Sequence, residues 1–329
     1  MNSYDFEEQI KLAAAKLEKD GYAVIPGVVS KEECAEVRQA MLNFMKEVGI
    51  DFDDKTLKET DYPNQKGIIQ HWIGHLPEFW KMRCHERILK VFEMLYGTND
   101  LLVSFDGGCI QPTWMNDTGR PMHTDQSHKK LGLHCIQSYL QVEKALDEGT
   151  GTLMVIPGGH LKHAEFAKNH PDLVAPQTDD WFQYDESHWK ELGGLPQRVF
   201  ADVGSLVLWD SRTPHRGAPP SKSIPVEKRN MRFVQYISYQ PRKLITPGDL
   251  KRKQQYYHSR RTCSHWAAQR IKVFGTGWRT YGKPQTRKFC MPPDRRAGSE
   301  LELELAGVNK MKRPLRKSPA LLKFEFDRK

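Results

Sequence analysis

Residues 123–125 read His-Thr-Asp. On an extended strand, residues two apart project from the same face, so His123 and Asp125 can reach one ion together. An imidazole with a carboxylate suits Fe(II), and a further, distant histidine would complete a 2-His-1-carboxylate set that leaves coordination positions open. The triplet alone is weak evidence. With 13 His and 20 Asp in 329 residues, roughly 0.8 such triplets arise by chance. The competing reading is a turn histidine hydrogen-bonded to a nearby carboxylate.

Context strengthens the metal reading. Gly204 to Pro219, GSLVLWDSRTPHRGAP, reads as a buried strand, then a loop with a single histidine, His215, then a turn. The interval from Asp125 leaves room for several strands to return His215 to the same end of a barrel, where rigid scaffolds usually carry their sites. Arg232 then heads another strand, RFVQYISY. A guanidinium is the natural bidentate partner of a carboxylate, although an ion pair with a protein acid competes for it. Arg229 lies three residues earlier with the opposite strand parity and is the alternative.

The elements that must position these groups show two textures. The first hundred residues are helical in period. Phe6, Ile10, Ala14 and Leu17 make one stripe ending at Gly21, and Ser30 with Glu33 forms a capping box before a helix carrying Val37, Met41, Phe44 and Val48. A third helix is expected from Leu76 to Tyr96, stopped by Gly97. From Leu101 the chain becomes short apolar runs punctuated by Gly, Pro, Asn and Asp, the mark of a mainly β sandwich or barrel. A helix is expected to resume near Pro247. The segment from Asp294 carries charge without period, apart from the alternating ELELEL, and reads as weakly packed or disordered. The chain divides into one domain over residues 1–293 and a basic tail over 294–329. Within the domain lie N-terminal helices (1–100), a β core (about 101–240) and a helical, basic extension (241–293).

Charge follows this division. Residues 1–241 hold 27 basic and 34 acidic groups, whereas 242–329 hold 23 and 7. The stretch from Arg242 to Lys288 interleaves its basic residues with Tyr256, Tyr257, Trp266, Phe274, Trp278 and Tyr281, a pattern that suits a single-stranded nucleic acid or a lid attracting an acidic small molecule. Six scattered cysteines without a CxxC pair fit free thiols in the cytoplasm or another reducing intracellular compartment. Neither a secretory signal nor an apolar run of membrane-spanning length is present. No phosphate loop, dinucleotide fingerprint, serine elbow or kinase motif set is found.

Taken in order, DGYAVIPGVVSKEECAEV (Asp20 to Val37), His123 and Asp125, GTGTLMVIPGGH (Gly149 to His160), SLVLWDSRTPH (Ser205 to His215) and Arg232 resemble the phytanoyl-CoA dioxygenase superfamily over about residues 15–240. The resemblance implies a double-stranded β-helix, a jelly-roll of the cupin kind, with helices packed outside. It implies Fe(II) held by His123, Asp125 and His215, with 2-oxoglutarate and O2 as co-substrates and Arg232 clamping the distal carboxylate. Gln137 matches a position where the family carries an aromatic or polar co-substrate contact. The reaction implied is oxidative decarboxylation of 2-oxoglutarate to succinate, coupled to hydrogen abstraction from an unactivated C–H bond. Related halogenases replace the carboxylate with a small residue, so Asp125 favours hydroxylation, desaturation or oxidative cyclisation.

Tyr236 to Trp266 is similar to an extension in algal and viral members, which points to specialised metabolism, with kainoid-type cyclisation as one concrete form. The expected substrate is a small carboxylate-bearing molecule, with Arg212, Arg216 or basic residues of the extension as its partners. The alternatives are an oxygenase that modifies nucleic acid or protein, and a non-catalytic β-helix binding protein.

Overall fold

Helix α1 (Ser3–Asp20) buries Phe6, Ile10, Ala14 and Leu17 along one stripe, the face that a 3.6-residue period dictates. It stops at Gly21, whose φ of +78° suits glycine and where a Cβ would strike the Thr213 and His160 side chains. Strand β1 (Tyr22–Ile25) follows, then α2 (Lys31–Glu47). The expected capping box opens α2: Ser30 Oγ accepts from the Glu33 amide at 3.2 Å, and the Glu33 carboxylate accepts from the Ser30 amide at 3.3 Å. The computed structural model describes residues 3–54, 57, 67–115, 121–275 and 297–326. Trp278, Tyr281 and Lys288 of the basic stretch, together with Cys290, lie outside them.

After β2 (Ile68–Ile69), the single helix expected from Leu76 to Tyr96 is two helices, α3 (Pro77–Arg83) and α4 (Glu86–Tyr96). Between them His85 is extended, at φ −67° and ψ 125°. Tyr239 Oη donates to the Arg83 carbonyl at 2.5 Å, so a distant phenol serves the group that a continuous helix would have bonded internally.

The β region comprises β3 (Leu101–Val103), β4 (Gly108–Gln111), β5 (His123–Thr124), β6 (Ile136–Gln141) and β7 (Thr152–Val155), then, after the short helices α5 (His163–Asn169) and α6 (Pro171–Val174), β8 (Phe182–Gln183), β9 (Gln197–Val199), β10 (Leu206–Asp210), β11 (His215–Ala218), β12 (Arg232–Tyr236) and β13 (Tyr239–Pro241). A six-stranded sheet, β1-β10-β6-β12-β4-β2, faces a five-stranded sheet, β8-β5-β11-β7-β9, and every pairing within them is antiparallel. This is the double-stranded β-helix.

Its central strands are buried on both faces, which is why they read as continuous apolar runs. On β10, Leu206 and Leu208 join the core beneath the helices, whereas Val207 and Trp209 turn inward to meet Tyr139, Leu153 and Val155. Period two sorts one run into two environments.

Helix α7 (Pro247–His258) starts where the turn chemistry predicts, with Thr246 Oγ1 accepting from the Asp249 amide at 3.0 Å. The C-terminal segment departs from expectation. ELELEL is helix α8 (Glu300–Leu305), capped by Ser299, and residues 297–326 pack on the body. Glu302 accepts from Tyr257 at 2.7 Å, Glu304 pairs with Arg313 at 2.9 Å, and Phe324 stacks on Tyr96 at 4.3 Å between centroids. Strand-like alternation was overridden by a helix cap and by buried partners for its acids.

Candidate metal centre and cavity

His123 of β5 and His215 of β11 are register partners on the five-stranded sheet, and Asp125 follows the end of β5. The three side chains offer ligand atoms that all lie within 4.8 Å of one another. Asp125 Oδ1 is 3.9 Å from His123 Nε2, and Oδ2 is 3.4 Å from His215 Nε2.

Each imidazole is oriented by the backbone. His123 Nδ1 lies 2.9 Å from the Pro121 carbonyl, and His215 Nδ1 lies 2.9 Å from the Thr213 carbonyl. A carbonyl only accepts, so Nδ1 carries the proton and Nε2 keeps its lone pair, turned toward the partner ligands. Burial opposes ionisation of Asp125. When the imidazoles are protonated on Nε2 as well, as they can be with no metal bound, the hydrogen bond from His215 and the charges of His123, His215 and His265 outweigh it and hold the carboxyl well below its usual range. Two free imidazole nitrogens and one ionised oxygen on a buried concave wall are a donor set that fits a divalent first-row metal.

The centre opens onto a cavity of about 840 Å³. Arg232 lines it from β12, opposite Gln111 on β4, and is 3% exposed. Its guanidinium lies over the Tyr139 ring at 5.3 Å and donates weakly to Cys109 Sγ at 3.7 Å, and its Nε has no partner. Among the described residues no acid pairs with Arg232, so a buried cation faces the cavity without a counter-ion. Tyr139 Oη and Gln111 Oε1, buried near it, are also unpartnered. Arg229 is used differently: its Nε donates to the Ile224 carbonyl at 2.8 Å and it does not line the cavity.

Gln137 lines the cavity, and its Nε2 donates to Asp125 Oδ2 at 2.9 Å. Trp209 lies between Tyr139 and His215, at 5.8 and 5.4 Å between centroids, and lines the cavity as well as filling the core. His128, near the triad in sequence, is buried. It bonds Tyr184 Oη at 2.8 Å and stacks on His163 at 4.2 Å, because the loops after β5 and α6 close over it.

The outer wall is the part that spacing arguments missed. Ser264, His265, Trp266, Arg270, Lys272 and Phe274, from the segment after α7, line the cavity. This segment doubles back through a Cys263–Val273 bridge, with Arg270 in the left-handed region at φ +55°. It crosses to the loop before β8 through Arg270–Asp180 at 3.4 Å and Lys272–Asp179 at 4.0 Å. Arg212, by contrast, folds back on Asp210 at 2.6 Å, and Arg216 lies over Trp189 at 5.8 Å. Neither lines the cavity, so of the basic residues considered for a substrate carboxylate only those of the extension do so. Composition signalled a basic, aromatic extension, but no local pattern could direct it at a site 140 residues away (from Asp125 to His265).

The family model for phytanoyl-CoA dioxygenase (PhyH) matches residues 17–223. The "Ava biosynthesis cluster protein O" of Aspergillus versicolor is 25% identical over 250 residues, covering 71% of this chain and 79% of the relative. Among solved structures, the epimerase SnoN in complex with Fe3+, alpha ketoglutarate and nogalamycin RO is 17% identical, covers 72% of this chain and 85% of its own, and has a TM-score of 0.49. AviO1 from Streptomyces viridochromogenes is 17% identical, covers 69% and 93%, and has a TM-score of 0.47. No described helix is long and apolar enough to cross a membrane.

Proposed function

The chain belongs to the phytanoyl-CoA dioxygenase family of Fe(II)- and 2-oxoglutarate-dependent oxygenases, and from that premise we propose that His123, Asp125 and His215 hold the iron and that Arg232 binds the distal carboxylate of 2-oxoglutarate. The single observation that carries this reading is the buried, acid-free guanidinium of Arg232 lining the same cavity as the His-Asp-His cluster. A cation kept from water without a counter-ion is costly unless a ligand supplies one, and a dicarboxylate reaching from the metal centre does so.

When bound, the iron with 2-oxoglutarate and O2 supplies the oxidising power for C–H cleavage. The residues do the rest. Their contribution is to fix the two imidazole tautomers, keep Asp125 ionised, neutralise the distal carboxylate and exclude water from the inner wall through Tyr139, Leu153 and Trp209.

The substrate in this reading is a small, carboxylate-bearing metabolite entering beneath the extension, with Arg270 and Lys272 as its charge partners at the mouth. Asp179 is exposed, so its pair with Lys272 exchanges readily for a ligand carboxylate, whereas Arg270 shares the more buried Asp180 with Lys130. Hydroxylation, desaturation and oxidative cyclisation, including the kainoid type, are all compatible with the centre, and a role in natural-product biosynthesis fits the A. versicolor relative's name. Modification of a polynucleotide is less well supported. Among the described residues, Arg242, Arg252, Lys312, Arg313 and Arg316 are each paired with an acid, which takes those five out of a phosphate track.

The test is succinate formation from 2-oxoglutarate after anaerobic Fe(II) loading and admission of air. Wild type is expected to turn over slowly without its prime substrate, and His123→Ala and Arg232→Ala are expected to lose that turnover. A wild type that binds neither iron nor 2-oxoglutarate would sink the reading.

A further inference from the structure

Asp125 differs from its two neighbours in how it is held. Each histidine is oriented by a backbone carbonyl two residues earlier, in the turn that leads into its strand. Asp125 lies just past β5, its side chain is 24% exposed, and its terminal torsion is of the broad kind that no rotamer well fixes. Beside the two imidazoles, one polar side chain among the described residues reaches it as a donor: Gln137 Nε2, 2.9 Å from Oδ2.

We propose that Gln137 is a positioning residue, holding Oδ2 of Asp125 so that Oδ1 is left as the single ligating oxygen. This inference rests on the reading of Asp125 as an iron ligand. Three observations support it. The bond spans the molecule's two layers, because Gln137 is on β6 of the six-stranded sheet whereas Asp125 extends β5 of the other. Gln137 is itself fixed, being 4% exposed and paired in register with Trp209, whose ring packs on His215. A one-residue slip of β6 would turn Gln137 out of the cavity altogether.

The third observation is the orientation of the amide. A carboxylate is acceptor-only, so the NH2 group must face Asp125 and Oε1 must face away. Gln137 Oε1 is buried and has no partner. An amide held in place for packing alone would leave an acceptor unsatisfied for no return, whereas one required for its donor accepts that cost.

The consequence is a matter of coordination positions. A carboxylate free to rotate can ligate through both oxygens and fill a position that a chelating co-substrate or O2 needs. With Oδ2 tied to the amide, Asp125 binds through one oxygen and the open positions stay open. This is a role for the glutamine distinct from contact with 2-oxoglutarate itself.

The experiment titrates the full-length protein with Co(II) under anaerobic conditions and follows the d–d absorption, comparing wild type with Gln137→Leu and Gln137→Glu. Loss of an outer partner of a metal ligand typically costs 10–100-fold in affinity, so Gln137→Leu is expected to bind cobalt about 10–100-fold more weakly. Its d–d spectrum is expected to change in shape, which a correctly built but merely destabilised site would not show. Gln137→Glu is nearly isosteric and cannot donate when ionised, so it is expected to shift in the same direction, and it carries the test if the leucine variant melts early. Unchanged affinity and spectrum in both variants, or tighter binding by Gln137→Glu, would overturn the positioning role. Wild type that fails to bind cobalt would remove the metal-centre reading itself, and the glutamine's role with it.

Discussion

His123 and His215 stand directly opposite each other across the β5–β11 ladder, with their rings 4.4 Å apart. The pairing converts two residues far apart in the chain into neighbours on one face of one sheet. It also makes the placing of each imidazole depend on strand register. Removing either ligand is expected to leave the ladder standing and abolish high-affinity metal binding. For His215→Ala we expect an affinity loss of at least about a hundredfold. Thermal melting reads this independently of turnover: cobalt at a hundred times its wild-type Kd stabilises the wild type by about 2.7 kcal/mol and the variant by almost nothing.

Arg232 and Arg229 lie three residues apart but meet different surroundings. Hydrogen bonds to charged groups contribute about 1.5–3 kcal/mol each, so Arg232→Ala should raise the KM for 2-oxoglutarate by about tenfold or more, and Arg232→Lys should recover only part of that because it lacks the fork. Arg229→Ala removes a bond to the Ile224 carbonyl and is expected to lower the melting temperature while leaving that KM near the wild-type value. Equal effects of the two on KM would show that the cavity-lining arginine has been misassigned.

Arg270 and Lys272 test the substrate side. Once a screen of small carboxylates has found an accepted molecule, Arg270→Ser combined with Lys272→Ser should raise its KM by about tenfold. The double variant should also flatten the dependence of KM on ionic strength, since exposed pairs are the ones salt screens. A double variant with an unchanged KM and salt profile would move the recognition elsewhere on the wall.

Glu304 anchors the C-terminal segment. Burial pushes its carboxyl up, but hydrogen bonds from the Lys312 amide and from Arg313, with the charges of Arg313 and Arg242, outweigh this and hold it below its ordinary value of 4.5. A depressed folded-state pKa stabilises the fold above the unfolded-state value, and that contribution is lost as pH falls through the folded value. Glu304→Gln should therefore cost about 1–3 kcal/mol at neutral pH. The difference in melting temperature from wild type should close as pH drops below about 4.5. A gap that stays constant from pH 7 to pH 3 would mean the charge is not what holds the segment.

Much of the site was legible because its signals are local. Two-residue alternation puts His123 and Asp125 on one face, Arg232 is marked as the head of an apolar strand, and Ser30 with Glu33 announces α2 from four residues of sequence. These depend only on backbone geometry within one element, so the chain states them outright. The family resemblance then assigned them roles that no single spacing could.

Tertiary structure decided the rest. The register of His123 against His215, the Gln137 amide on Asp125, the extension over the cavity, the break between α3 and α4 and the docking of residues 297–326 each join groups far apart in the chain. Tyr239 ends one helix by taking the Arg83 carbonyl, and Tyr257 shelters a glutamate that alternation alone would have put on a strand. Local periodicity contributes tenths of a kcal/mol per residue, whereas burying an unpaired polar group costs about 1–3 kcal/mol, so where the two conflict the distant partner prevails.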